Sequence, residues 1–258
     1  MLDTAVIPCG GLGTRLMPIT RWIPKELLPV SLKPLLYWAL DEIAAAGLLH
    51  AIIVTNPARP MVEAVARNWQ GPLELEFVPQ ERPRGLGDAL LRSRDLLCGS
   101  PFIAVLPDNL FQGDNPTRRV LEVYRDTGLD TVLLSEISRE EAALKGATGK
   151  ARTERRIDGT LLVTDIADKG TGRFETGVAA SAVTPIGRFA LHGNIFQEFD
   201  EVARALAAGA ELDDVPVLQR LARRGALAGV ASTARFYDVG VPEGYRDAVA
   251  NFPPRVTE

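Results

Sequence analysis

Residues 4–29 read TAVIPCGGLGTRLMPITRWIPKELLP. The opening TAVIPC is apolar and β-branched, which predicts a short buried strand. Gly10, Gly11 and Gly13 then open the backbone, and two cations, Arg15 and Lys25, follow closely. A glycine loop leaving a strand lets backbone N–H groups approach phosphate oxygens with no side chain between them. Taken alone, Gly-Gly-X-Gly is an ordinary tight turn. It is not a G-x-x-x-x-G-K-[ST] loop, because Thr14-Arg15 stand where Lys-Ser/Thr is required. A G-x-G-x-x-G dinucleotide fingerprint fails at Leu16, where its third glycine should stand.

Outward from this stretch, strand and helix patterns alternate. LKPLLYWALDEIAAAGLLH has helical spacing with a stop at Gly47, AIIVTN reads as a second buried strand, and PMVEAVARNWQ as a second helix. LELEFVPQ alternates like a strand, and GLGDALLRSRDLLCGS reads as one helix entered through glycine. FIAVLPDNLF is an apolar strand ending at an acidic residue, TRRVLEVYRDTG is helical, and DTVLLSEI is a strand. This pitch predicts an α/β fold, Rossmann-like, with a mostly parallel, mixed sheet flanked by helices. Ligands of such sheets bind beyond the carboxyl ends of the strands. Gly10 to Arg15, Gln80 to Gly87 and Asp108 all fall at such ends, so three distant segments are expected to meet on one rim.

The second half is less regular. Residues 149–170 suggest strands with a turn at Asp158-Gly159, and 173–199 a strand running into a helix. Residues 201–225 suggest an interrupted helix, 226–240 strands, and 242–252 a short helix. No linker, repeat or low-complexity tract divides the 258 residues, so 1–258 reads as a single domain.

Composition narrows the function classes. With 46% hydrophobic residues the chain can bury a substantial core. A net charge of -4 gives no global attraction to nucleic acid or to an anionic membrane, so any phosphate site must be built locally. No signal sequence and no membrane span are expected. Two cysteines, Cys9 and Cys98, make no disulfide framework and favour a reducing, cytoplasmic setting. His50 and His192 stand alone, which disfavours a zinc site or a histidine triad.

The long compound motif GGLGTRLMPITRWIPKELLPV, followed by Lys33-Pro34, resembles the signature of the sugar-1-phosphate nucleotidyltransferases. The resemblance extends unevenly along nearly the whole chain. It implies the nucleotide-diphospho-sugar transferase fold, with residues 1–145 on the nucleotide side and a sugar-side subdomain over 146–258. It implies that the loop wraps a nucleoside triphosphate, Gly10 and Gly11 near the base and ribose, Gly13, Thr14 and Arg15 near the phosphates. Lys25 would reach the phosphate under attack. In PQERPRGLGDALL, Gln80 would hydrogen-bond a pyrimidine, since an amide offers both donor and acceptor, and Gly85 would let backbone meet the base. Asp108 of VLPDNLF and Asp238 of FYDVGVPEGY resemble the family's metal aspartates and would hold Mg²⁺ between them.

On the sugar side the match weakens. Gly146 follows Lys145 where the family shows an aromatic residue. Asp168-Lys169-Gly170 stands for Glu-Lys-Pro, with a shortened acid and a loosened backbone. By resemblance Lys169 binds the sugar phosphate, Asp168 sugar hydroxyls, and Gly187 of TPIGRFAL lies under the sugar. In GAELDDVPVLQRL, Glu211 matches while Asp213 and Pro216 depart. The implied activity is nucleotidyl transfer from UTP to a hexose-1-phosphate such as glucose-1-phosphate. Catalysis would rest on Arg15, Lys25 and Asp108, with no nucleic-acid or membrane partner and assembly as a homodimer or homotetramer. IPKELLP resembles the UTP-using branch and PDNLFQG the dTTP-using one, so both nucleotides stay open. A non-catalytic nucleotide-sugar sensor is the alternative from another class. A nicotinamide-dependent oxidoreductase is disfavoured by the failed fingerprint.

Overall fold

The computed structural model describes residues 2–253 except Thr171 and Ala208. Met1, Ala208 within the 201–225 reading, and the last five positions of the 1–258 span therefore lie outside the described residues.

Strand β1 (Thr4–Cys9) leads through 3-10 turns at Thr14–Leu16, Ile19–Arg21 and Lys25–Leu27 into a small hairpin, β2 (Pro29–Val30) and β3 (Lys33–Pro34). The first half continues with α1 (Leu35–Ala45), β4 (His50–Thr55), α2 (Met61–Ala66), β5 (Glu74–Pro79), α3 (Leu86–Arg92), α4 (Arg94–Leu97) and β6 (Phe102–Val105). Next come β7 (Asn109–Gln112), α5 (Pro116–Thr127), β8 (Asp130–Ser138) and α6 (Arg139–Ala142). The remainder is β9 (Ala151–Arg155), β10 (Leu161–Ile166), β11 (Ser181–Leu191), α7 (Ile195–Ala205), α8 (Val215–Arg223), β12 (Leu227–Ala231), β13 (Arg235–Asp238) and α9 (Pro242–Asn251).

Nine strands form one sheet in the order β5-β4-β1-β6-β11-β8-β12-β10-β9. β1, β4, β5 and β6 pair in parallel, as do β8 and β12, while β11 runs against both β6 and β8 and β10 runs against β12 and β9. The sheet is therefore mixed, with only β10 and β11 reversed. β1 shows why its sequence is apolar at nearly every position: Ala5 and Ile7 join the core under α1, α2 and α5, and Val6 joins the core under α3, α7 and α8. A strand covered on both faces has no polar side to display.

Local signals set the helix ends. Asn115 caps α5 by accepting from Arg118 N at 2.9 Å, Pro116 occupies its first turn, and Gly128 ends it in the left-handed conformation. The expected helix over 85–100 is instead broken: α3 stops at Arg92, and the Ser93 hydroxyl turns back onto Leu90 O at 2.7 Å. A serine that bonds the preceding turn competes with helix continuation. FIAVLPDNLF also divides, since β6 ends at Val105 and β7 pairs with β13 in a separate ladder. No helix among the described residues is long and apolar enough to cross a membrane.

Candidate active site

β1, β5 and β6 end on the same rim, and each delivers part of the site. From β1 come Gly10 to Arg15, which line a cavity of about 310 Å³ together with Lys25, Gln80, Gly85, Lys169, Glu211 and Asp213. Gln80 is buried, with Nε2 donating to Asp88 Oδ2 at 2.8 Å, and its Oε1 lies against the Gly10 backbone, where a Cβ would meet it at 2.3 Å. Gly85 begins α3 at φ +100, and a Cβ there would lie 2.4 Å from Leu212 O. That backbone geometry belongs to glycine.

A second cavity, of about 220 Å³, adjoins the first. Asp108, Asn109, Lys145, Gly146, Gly187 and Asp238 line it. Arg15, Lys25 and Lys169 line both cavities, so three cations stand where the two meet. Gly187 sits where the β8–β11 ladder breaks between Pro185 and Phe189, and its carbonyl accepts from Leu106 N at 2.9 Å.

Asp108 and Asp238 come together through the short β7–β13 ladder, whose register sets Asp238 opposite Asn109. Val239 N donates to Asp108 O at 2.8 Å, which closes the junction. Asp238 accepts from Gly146 N at 2.7 Å and from Gly240 N at 3.0 Å. A Cβ on Gly240 would lie 3.0 Å from Asp238 Oδ1 and 3.1 Å from Asp108 Oδ2, so the two carboxylates flank one small space that glycine leaves open. Among the described residues no cluster of three or more His, Cys, Asp or Glu side chains could hold a metal ion. Two carboxylates with room for phosphate oxygens and water nonetheless fit a hard divalent cation of the magnesium type, which keeps several non-protein ligands.

The charges are mutually arranged. Burial works to raise Asp108, but Lys25 and Arg15 hold its carboxyl below the usual range. Burial, followed by the nearby Asp108 charge, raises Asp238. Lys25 donates to Asp108 at 2.5 Å, and the Asp108 and Glu26 charges keep its ammonium above the usual lysine range despite burial. Glu26 itself is fully buried, neither of its carboxylate oxygens has a hydrogen-bond partner among the described residues, and burial pushes it up to about 7.

Asp168 stands apart from the two joined cavities. It lines a neighbouring one with Thr148, Arg173 and Glu175, and accepts from Gln219 Nε2 at 2.7 Å. Lys33, next to the loop in sequence, pairs instead with Asp41 and lies 4.1 Å over the Trp38 ring.

Three features escape a residue-by-residue reading. Lys145 is buried in the wall of the 220 Å³ cavity, bonded to Phe236 O and 4.3 Å from the Phe236 ring, and burial lowers its pKa. Arg188 is buried with Glu42 as a two-bond ion pair, at 2.7 and 2.6 Å, and donates to Leu106 O and Asn109 O on either side of Asp108. The signal for that pair was a charge inside each of two apolar runs, TPIGRFAL and YWALDEIAA. The third is the hold of Asp213 and Asp214 on Lys169, at 2.6 and 3.1 Å.

The family model for nucleotidyl transferases matches residues 4–252. The chain belongs to the nucleotidyl transferase family. It is 27% identical over 271 residues to the UTP–glucose-1-phosphate uridylyltransferase of Bacillus subtilis, covering 96% of this chain and 90% of that one. It is likewise 27% identical over 270 residues to UTP–glucose-1-phosphate uridylyltransferase 2 of Staphylococcus saprophyticus, covering 95% and 89%. Among solved structures, a UDP-glucose pyrophosphorylase complexed with UDP-glucose superposes with a TM-score of 0.80 at 26% identity and 98% coverage of each chain. The nucleotidyl transferase fold expected from the alternation of strands and helices and from the long compound motif is thus the fold observed.

Proposed function

We propose that this nucleotidyl transferase moves a uridylyl group from UTP to a hexose-1-phosphate, glucose-1-phosphate foremost, releasing pyrophosphate and forming a UDP-sugar. The observation that carries this reading is the trio Arg15, Lys25 and Lys169 at the junction of the two cavities. A reaction between two phosphate-bearing substrates needs cations at that point. The uridylyltransferases matched over nearly their full length support the choice of UTP and glucose.

In this reading the backbone of Gly10, Gly11, Gly13 and Thr14 faces the triphosphate, and Gln80 with Gly85 faces the base. Gly146 and Gly187 floor the sugar, Lys169 takes the sugar phosphate, and Asp168 reaches sugar hydroxyls only if its bond to Gln219 opens. A phosphate oxygen of the sugar-1-phosphate attacks the α-phosphorus of UTP in line, the bond to the β-phosphate oxygen breaks, and pyrophosphate leaves. A phosphate monoester is already a nucleophile at neutral pH, so no general base is required. Arg15 and Lys25 stabilise charge around the α-phosphate and the leaving group, and holding both substrates in adjoining cavities removes much of the entropic barrier. Asp108 and Asp238 would hold Mg²⁺, which supplies charge neutralisation of the phosphates when bound. A cytoplasmic location, suggested by the unpaired Cys9 and Cys98, and self-association as a homodimer or homotetramer belong to the same proposal.

The test is pyrophosphate release with Mg²⁺ across UTP, dTTP, CTP, ATP and GTP against several sugar-1-phosphates. Highest kcat/KM with UTP and glucose-1-phosphate is expected. A different preferred pair would move the substrate and keep the chemistry. Silence across the grid, with UTP or a UDP-sugar still bound, would favour a sensor.

A further inference from the structure

Gly170 follows Lys169, and glycine restrains the backbone of that turn less than any other residue would. Its ammonium is nevertheless held from outside. Lys169 Nζ lies 2.6 Å from Asp213 Oδ1 and 3.1 Å from Asp214 Oδ1, both on the segment that enters α8. That segment is itself fixed. Leu212 N donates to Arg84 O at 2.7 Å, and Gly87 N donates to Leu212 O at 2.8 Å, so Leu212 is stitched on both sides to the loop after Gln80. Leu212 is buried, and its side chain packs where a Cβ on Gly87 would fall. Asp214 N donates to Asp213 Oδ1 at 2.7 Å, and Val217 N and Leu218 N both reach Asp214 O at 3.0 Å as α8 begins.

We propose that Asp213 and Asp214 are positioning residues that set the Lys169 ammonium at the junction of the two cavities, supplying from side chains the order that Gly170 removes from the backbone. The proposal rests on the reaction described above and names further residues that serve it. An ammonium has three N–H donors, and two point at these carboxylates, which leaves one for a phosphate oxygen. Lysine is long and flexible, so a pre-set ammonium loses less freedom when the phosphate arrives. Asp213 lines the nucleotide-side cavity and Asp214 the sugar-side one, so the hold comes from both directions. The carboxylates offset the lysine's charge, so Lys169 acts as a directed hydrogen-bond donor.

Two double variants test this: Asp213→Ala with Asp214→Ala, and Asp213→Asn with Asp214→Asn, which keeps the acceptor oxygens. In steady-state assays with UTP and Mg²⁺, the alanine pair should raise KM for glucose-1-phosphate about tenfold or more and lower kcat. The asparagine pair should stay within about threefold of the parent protein in both. An unchanged or lower KM in the alanine pair overturns the proposal, since the carboxylates would then only compete with phosphate. Equal losses in the two pairs overturn it as well, because charge and not hydrogen bonding would be at work.

A second readout is independent of the substrate. The Asp214 and Asp213 charges keep Lys169 above the usual lysine range despite burial. Acylation of Lys169 by acetic anhydride, followed by mass spectrometry, should therefore run several-fold faster in the alanine pair, and an unchanged rate overturns the hold. If the parent protein turns over no sugar phosphate while this rate still rises, the reaction proposed above fails and the hold on Lys169 stands. Should the alanine pair not fold, the single variants Asp213→Ala and Asp214→Ala carry the same measurements.

Discussion

Lys25 and Asp108, separated by 83 residues of sequence, are joined by a 2.5 Å hydrogen bond in the wall of the 220 Å³ cavity. Each is the other's counter-charge in the free protein. The same Asp108 Oδ2 that accepts from Lys25 borders the space beside Gly240. In the proposed reaction a phosphate oxygen would therefore compete with Asp108 for Lys25, and a cation would compete with Lys25 for Asp108.

Lys25→Ala should therefore act on the transition state more than on binding. Turnover is expected to fall by about 10²–10³, the range seen when one charge-stabilising donor is removed. UTP affinity, measured by calorimetry, should weaken by less than about tenfold. Equal losses in the two would mean that Lys25 only helps UTP to bind.

Asp108→Asn and Asp238→Asn should each cut turnover by about 10²-fold or more and raise the Mg²⁺ concentration needed for half-maximal rate. Asp108→Asn keeps an oxygen to accept from Lys25, so folding should survive, whereas Asp238→Asn keeps an acceptor for either Gly146 N or Gly240 N and sets an amide N–H against the other, so its melting temperature should also fall. The check is a Mg²⁺ titration of initial rates, with Mn²⁺ binding as a second readout. An unaltered titration in either variant removes that residue from the metal site.

Gly85→Ala should disturb both substrates through one contact. The backbone stands at φ +100, and the new methyl would press on Leu212 O at 2.4 Å. A strain of about 1–3 kcal/mol is expected. Because Leu212 is the stitch between the base loop and the Lys169 segment, KM should rise for both UTP and the sugar phosphate. A rise for UTP alone would show that the loop yields without moving Leu212.

Glu26 should make stability fall with rising pH. Its carboxyl stands at about 7 in the folded protein, above the 4.5 of the free group, so between those values the folded state holds the proton more tightly. Stability is greatest below the lower value and is lost as pH climbs through the upper one, by on the order of 3 kcal/mol. Glu26→Gln should flatten this dependence and raise the melting temperature at pH 8 relative to the parent. A parent protein whose melting temperature does not drop between pH 5 and pH 8, once other groups are matched through the Gln variant, would contradict the assignment.

The alternation of apolar strands and amphipathic helices made β1, β4, β6, α1 and α5 legible, because strands buried on both faces and helices capped by Asn115 or stopped at Gly47 leave local marks. The break at Ser93 was less visible, since leucines continue on both sides of it and only the hydroxyl's turn toward Leu90 decides. The parallel direction of β1, β4, β5 and β6 followed from the same alternation, but the reversal of β11 was not visible. SAVTPIGRFAL is apolar whether it runs with β6 or against it, and only the ladder shows that β11 is reversed. Arg15 and Lys25 could be picked out because a long motif surrounds them, and Asp108 and Asp238 because the short segments VLPDNLF and FYDVGVPEGY resemble the family's, whereas Asp213 and Asp214 look like any solvated acidic turn. Their partner is Lys169, more than 40 residues earlier, and no local pattern reports that distance. Asp168 illustrates the converse: an altered form of the motif marks it, yet its carboxylate accepts from Gln219.

The reversed strand β11 also bears on how the chain is made. β6 is complete at Val105, but the strand that covers its free edge begins only at Ser181. A chain emerging from the ribosome therefore carries an apolar strand edge, FIAV, with nothing beside it while the whole of β7 to β10 is still being synthesised. Such an edge is an invitation to pair with a neighbour. The time taken to synthesise residues 106–180 is the time for which that edge stays open.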